Sequence, residues 1–413
     1  MDPVVQLLRK LVAINSVNPS LVPGAAGEGE MALAIADHLR AIGLDVELQE
    51  VAPGRPNVIG TLEGRAPGPS LMFCGHIDTV GVEGMRAPFD PVERDGRLYG
   101  RGSQDMKGGV AAMVDAARVV AQEGLAAGRL IVACVVDEEY ASIGADALVG
   151  RWRADAAVVT EPTDMQIAVG HKGFAWYEIE TGGIAAHGSR PRDGRDAIMR
   201  MGRVLHALEQ LDRRLQSRPE HPLLGTASLH ASLIDGGREL SSYPDHCTLK
   251  LERRTVTGET EAIVLGELES ILAGLRDADP EFEATLTPLF ARPSYELAPN
   301  HALPSSLIRV LTTLSSGERS ETHTLPGAER SEAVGPTASE ASVPPDKQRS
   351  DQFVGMSFWT DAAVLGAAGI PSVLFGPGGA GLHSTEEFVE IGDVRRCRDV
   401  LASLARDWCV AGR

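Results

Sequence analysis

The sequence predicts an α/β protein: a mixed, largely parallel sheet domain into which a smaller α+β domain is inserted. Three observations lead there. Short apolar runs of strand length alternate with helical stretches, as they do where a parallel sheet is covered by helices. From about residue 172 the texture changes to alternating apolar and polar residues, which marks antiparallel strands with one solvated face. After about residue 290 the first texture returns, so the domains read as 1–171 with 291–413, and 172–290.

In chain order, "MDPVVQLLRKLVAINSVNPS" opens with apolar residues at helical spacing and lacks the charged start, long apolar run and small-residue cleavage site of a secretory signal. "SLMFCGHID" (70–78) reads as a buried strand, "GGVAAMVDAARVVAQEG" (108–124) as a helix, and "RLIVACVVD" (129–137) and "AAVVTE" (156–161) as further buried strands. In the inserted domain "FAWYEIETGG" (174–183) and "HCTLKLERRTV" (246–256) alternate, and "DAIMRMGRVLHALEQLDRRLQ" (196–216) is helical. "PSVLFGPG" (371–378) rejoins the sheet, and the amphipathic "IGDVRRCRDVLASLARDWC" (391–409) closes the chain. Residues 315–351 carry a near-repeat of "ERSE" and almost no large apolar side chains. Such a segment cannot bury enough surface to offset its ordering entropy and reads as a disordered surface loop.

Composition bounds the function. With 413 residues, 43% hydrophobic and 23% charged, the chain belongs among globular proteins with room for two cores. A formal charge of -18 without a Lys/Arg-rich block argues against nucleic acid and acidic membrane surfaces as partners, and no stretch approaches the length of a membrane span. Five widely spaced cysteines without a CxxC pair suit free thiols in a reducing compartment, hence a cytoplasmic protein; Cys74 and Cys134 lie in apolar runs as core residues.

In open α/β sheets ligands bind beyond the carboxyl ends of the strands, and here those ends share a chemistry. The first buried strand delivers His76 and Asp78, the second Asp137, Glu138 and Glu139, the third Glu161, and the loop after the fourth His383. Asp105, in "YGRGSQDMKGG", precedes a helix whose two glycines permit close backbone approach. Singly, each has a structural reading: His76 a satisfied core histidine, Asp105 a turn residue, Glu138 and Glu139 a solvated pair, Glu161 a helix start, His383 a loop residue. Together they would repel one another unless a cation neutralised them. Histidine and carboxylate donors without thiolates suit zinc, with cobalt or manganese as alternatives. Two histidines and three carboxylates exceed what one tetrahedral ion needs, whereas two divalent ions sharing a carboxylate use all five. On a strand, positions i and i+2 face the same way, so Asp78 lies beside His76 and can fix its tautomer.

These motifs carry a resemblance. "GHIDTV", "GRGSQDMKGG", "DEE", "TEPT" followed by "GHKG", "AAHGSRP", "GMSFWTDA" and "GPGGAGLHSTEEFV" occur in the order found in the zinc-dependent aminoacylase and carboxypeptidase family, which includes acetylornithine deacetylase and succinyl-diaminopimelate desuccinylase. The match spans nearly the whole chain apart from 315–351. The resemblance implies a catalytic domain (1–171 and 291–413) and a lid or dimerisation domain (172–290), usually paired in a homodimer. It implies Asp105 as bridging carboxylate, His76 and Glu161 completing one metal site, Glu139 and His383 the other. Glu138 would be the general base acting on a metal-bridging hydroxide, and Asp78 the orienter of His76. His187 in "AAHGSRP" resembles a histidine brought to the partner subunit's site to stabilise the oxyanion, and Arg254 an arginine that holds the substrate carboxylate, with Arg253 the competing choice. Where the family's lid has an asparagine before "PD", this chain has Ser241 or Ser242. Asp361 either lines the pocket or caps a helix with Thr360.

The implied activity is hydrolysis of the amide of a small N-acyl amino acid, acetylornithine being the lead. A dipeptidase, carboxypeptidase or desuccinylase is the alternative, and a non-catalytic binding protein the reading outside enzymes. Neither GxGxxG after the first strand nor a P-loop is present, which sets nucleotide binding aside.

Overall fold

The computed structural model describes residues 2–298, 300–321 and 353–410. They fall into two compact units: Met1–Val169 with Leu297–Val354 and Thr360–Arg413, and Gly170–Glu296 with Gly355–Trp359.

The first unit is built on a mixed sheet. Ser70–His76 lies between Arg129–Val135 and Ala156–Val159, parallel to both, and Ser372–Leu374 continues the parallel run beside Ala156–Val159. Asp45–Ala52 and Arg55–Glu63 extend it antiparallel on the other side. The central strands are buried residue after residue because both faces are covered, and continuous apolar runs are what such positions require. Helix Pro3–Val12 starts on an Asp2 side chain that accepts from the Val4 N–H, with proline in its first turn, and buries Val4, Val5, Leu7, Leu8, Leu11 and Val12. It packs with Gly108–Glu123 and Ile391–Trp408. At Gly109 a Cβ would stand 1.9 Å from the Thr160 carbonyl oxygen, so glycine is what lets this helix close on the strand exit that carries Glu161.

The second unit is a four-stranded antiparallel sheet in the order Ser228–Gly236, His246–Thr255, Gly173–Gly182, Ala284–Arg292. Helices Ala197–Gln216 and Glu261–Ala278, capped by Asp196 and Thr260, enclose a core of Tyr177, Ile179, Leu249, Leu251, Leu208 and Leu268 among others. The sequence assigned 355–359 to the first domain. In the structure this segment joins the second unit, where the Lys172 N–H bonds the Met356 carbonyl and the Trp359 ring meets His171 and Phe174 edge-on. Of the segment read as a loop, residues 315–321 end the helix Ala302–Glu321, and 322–351 lie outside the described residues. No helix among the described residues is long and apolar enough to cross a membrane, and all five cysteines are free and buried.

Candidate metal centre

In the first unit the strand exits and two loops bring together the six side chains that the sequence singled out there, with Asp78 behind them. Asp105 is the hub. Its Oδ1 lies 3.1 Å from His76 Nε2 and its Oδ2 3.4 Å from His383 Nε2, so the two oxygens of one carboxylate face different histidines. Glu139 Oε2 stands 3.2 Å from His383 Nε2, and Glu138 Oε2 4.0 Å from His76 Nε2. Donor atoms of His76, Asp105 and Glu139 gather within 4.8 Å of one another, as do those of His76, Glu138 and Glu161. The sequence grouped Glu161 with His76 and Asp105 and kept Glu138 apart; here Glu138 shares the Glu161 cluster, because it leaves its strand at the turn beside His76.

Asp78 orients more than the imidazole. The His76 Nδ1 donates to the Asp78 backbone carbonyl at 3.1 Å and lies 3.5 Å from its Oδ1. The same carboxylate accepts the N–H groups of Glu138 (3.2 Å) and Glu139 (3.1 Å) and the Asn18 amide (2.8 Å). Further back, Arg55 bonds both oxygens of buried Glu28 (2.7 and 2.6 Å) and reaches Asp137 (2.8 Å), the residue that opens the acidic turn. Asn18, Glu28 and Arg55 carry no spacing signal: Arg55 meets Glu28 and Asn18 from 27 and 37 residues away in the chain.

The electrostatics of these side chains are in conflict. Burial would lower the pKa of His76, yet hydrogen bonds to Asp105 and Asp78 raise it well above its ordinary value. Bonds to Asp105 and Glu139 raise His383 to about 10. Burial holds Glu138 and Glu161 well above the usual carboxylate range, with His76 opposing and neighbouring acids adding to it. Burial, then Asp105, pushes Glu139 to about 7. Against its own burial, Asp105 is held low by both histidines. Glu139 Oε1 is buried and has no hydrogen-bond partner among the described residues. An orphaned oxygen inside an oxygen- and imidazole-only donor set fits divalent cations, which would relieve the repulsion that protons otherwise relieve.

Asp361 is buried, and Thr360, not Asp361, takes the Ala362 N–H at the helix start. In the second unit, strand alternation separates the two arginines. Arg253 is fully buried and bonds Glu259 through two nitrogens (2.6 and 3.2 Å), a structural commitment. Arg254 faces the other way, its side chain 32% exposed, paired with Glu252 and lying 5.5 Å over the Phe174 ring. His187 is exposed, its Nδ1 2.8 Å from Ser189 Oγ, and its backbone bridges to Ser242, one of the two serines at the departure from the family pattern.

Comparison with known proteins gives the following. The model of peptidase family M20/M25/M40 matches residues 72–407. An N-formyl-4-amino-5-aminomethyl-2-methylpyrimidine deformylase from Bacillus subtilis is 27% identical, covering 99% of this chain and 95% of that one. An acetylornithine deacetylase from Photorhabdus laumondii is 26% identical, covering 100% and 98%. Among solved structures, a tripeptidase from Staphylococcus aureus shares the fold with a TM-score of 0.76 at 19% identity, covering 98% of each chain.

Proposed function

The chain belongs to peptidase family M20/M25/M40, metal-dependent hydrolases of amide bonds, and from that premise we propose that it removes a short acyl group from a small N-acyl amino acid or closely related amide. The convergence of two histidines, three carboxylates and the additional Glu138 at the strand exits and the two loops beside them carries this reading. The names of the two curated relatives, a deformylase and an acetylornithine deacetylase, favour a small acyl group.

His76, Asp105, Glu139, Glu161 and His383 would hold two divalent cations, zinc the first choice, which would supply Lewis acidity toward the scissile carbonyl and bring a water's pKa toward neutrality. The protein's own groups do the rest. Asp78 holds the His76 ring and the N–H groups of Glu138 and Glu139, so ligand and base keep fixed separations. The Glu138 carboxylate takes a proton from the attacking water and delivers it to the leaving nitrogen as the C–N bond breaks, leaving a carboxylate and an amine. By the family resemblance, in a homodimer the partner subunit's His187 would donate to the developing oxyanion, and Arg254 would hold the substrate carboxylate, since a guanidinium fork suits that group. Leu233 and Ile234, 66% and 56% exposed on the edge strand Ser228–Gly236, support a homodimer formed through that edge. Sedimentation velocity giving a monomer at micromolar concentration would remove the dimer.

The deciding experiment measures amine release by zinc- or cobalt-loaded protein from N-formyl, N-acetyl and N-succinyl amino acids, N-acetylornithine and dipeptides. Selective turnover of the short N-acyl compounds is expected. Dipeptide cleavage alone would transfer the assignment to a peptidase, and silence with two metals bound per chain would point to a binding protein. In the same assay Glu138→Ala should keep its metal and lose about 10²- to 10⁴-fold in turnover. Unchanged turnover would take the base role away from it.

A further inference from the structure

The donors that sit on strand ends are fixed by the sheet and by Asp78. Asp105 and His383 are borne by loops, and a single buried ion pair ties those loops together. Glu387, 1% exposed, accepts from four donors: through Oε1 the N–H groups of Gln104 (2.9 Å) and Asp105 (3.1 Å), through Oε2 the Gly102 N–H (2.9 Å) and Arg101 Nη1 (2.6 Å). Arg101, 3% exposed, spends its remaining nitrogens on backbone: Nη2 donates to the Ser384 carbonyl (2.9 Å), adjacent to His383, and Nε to the Gly81 carbonyl (3.1 Å), three residues past Asp78. Three loops that follow or carry His76, Asp105 and His383 therefore meet on one guanidinium and one carboxylate.

We propose that the Arg101–Glu387 pair is a positioning device that sets the separation of Asp105 and His383 and so governs one of the two cation positions selectively. This rests on the two-cation reading above. The base of the His383 hairpin is fixed, since Phe388–Glu390 pairs with Arg97–Tyr99 and with Gly379–Ala380. Its tip is less constrained. His383 is 55% exposed at its side chain with φ 57°, and the bonds of Ser384 to Gly381 and Glu386 stay within the tip. Without the clasp, nothing in that set of bonds holds the tip against the Asp105 turn. His76, Glu138 and Glu161 lack this dependence: His76 is in the central sheet, Glu138 hangs on Asp78, and Glu161 follows Ala156–Val159. Both Glu387 oxygens face donors only, so replacing one of them by an amide turns an acceptor into a donor facing donors.

The test titrates metal-free full-length protein with cobalt(II), following d–d absorption and bound metal per chain. Wild type should bind two ions. Glu387→Gln, which keeps volume, should bind the first with wild-type affinity and the second about 10- to 100-fold more weakly, the usual effect of removing a ligand's supporting partner. Arg101→Lys, which keeps the charge and loses the fork, should fall between them. Asp115→Asn serves as the stability control, since Asp115 is buried and paired with Arg118 outside the centre. It should lower the melting temperature and leave both affinities intact. Equal weakening of both ions in Glu387→Gln, or no weakening, overturns the proposal. Should Glu387→Gln not fold, Arg101→Lys decides by the same readout. A wild-type protein that binds no cobalt would instead overturn the two-cation reading itself.

Discussion

His76 and His171 invite comparison because each is a histidine with almost no exposed surface at the last position of a strand, Ser70–His76 and Ile167–His171. Asp78, Asp105, Glu138 and Glu161 surround His76, and these acids raise its pKa despite burial. Around His171 stand the Tyr295 and Trp359 rings, each with its centroid 5.9 Å away, and its Nδ1 donates to the Lys172 carbonyl. Burial, against the bond to Lys172, pushes this pKa down to about 4. A buried strand-end histidine is thus a ligand candidate only where the surroundings supply negative charge; in an aromatic setting the same residue is a neutral packing element.

Replacing each histidine breaks the comparison most directly. His76 belongs to both candidate donor groups, so His76→Ala should lose both metal ions and lower amine release by more than about a thousandfold. His171→Asn should keep two ions and change turnover only a few fold, an amide standing in for the Nδ1 donor. Comparable losses in the two variants would mean that burial, not the acid shell, is what matters. Arg55 probes the shell from behind. Arg55→Met would strand Glu28 and Asp137, both with side chains at most 1% exposed, without a cation. Losing one partner of a buried pair costs about 3–5 kcal/mol, which urea unfolding of the metal-free protein would read. A loss below about 1 kcal/mol would mean that water already compensates those acids.

The same contrast explains what could be read from the sequence. The sheet was legible because strands covered on both faces must be apolar along their buried length, and residues 71–75, 130–135 and 156–159 are. A polar residue at the end of such a run has few structural reasons to be there, so His76, Glu138, Glu139 and Glu161 stood out. Asp105 and His383, borne by loops, were legible as donors chiefly because the other donors needed them. Arg55, Glu28 and Asn18 were not legible, because a buried ion pair leaves no periodicity and its members lie far apart in the chain. The choice between Arg253 and Arg254 needed the strand register: Arg253 pairs opposite Ala175 and points into the core, whereas Arg254 pairs opposite Phe174. The assignment of 355–359 also failed in sequence, since five residues hold no pattern that says which unit Trp359 will pack against.

The smallest predicted effect is also the one that isolates His171 from the acid cluster. Above pH 6.5 its imidazole is neutral in both folded and unfolded chains and contributes no pH dependence. Below that, the unfolded chain binds a proton that the folded chain refuses until about pH 4, where burial finally yields. Stability is therefore fully present above the unfolded pKa and falls as pH drops, by roughly 1.4 kcal/mol per unit and about 3 kcal/mol in all. Carboxylates titrate over the same range, but they do so equally in wild type and in His171→Asn and cancel in the difference. The variant should lose stability near neutrality, where the imidazole packs against two rings, and recover relative to wild type as the pH is lowered toward 4. A difference that stays constant with pH would mean that His171 accepts its proton while folded, and that the aromatic setting does not exclude charge as the contrast with His76 requires.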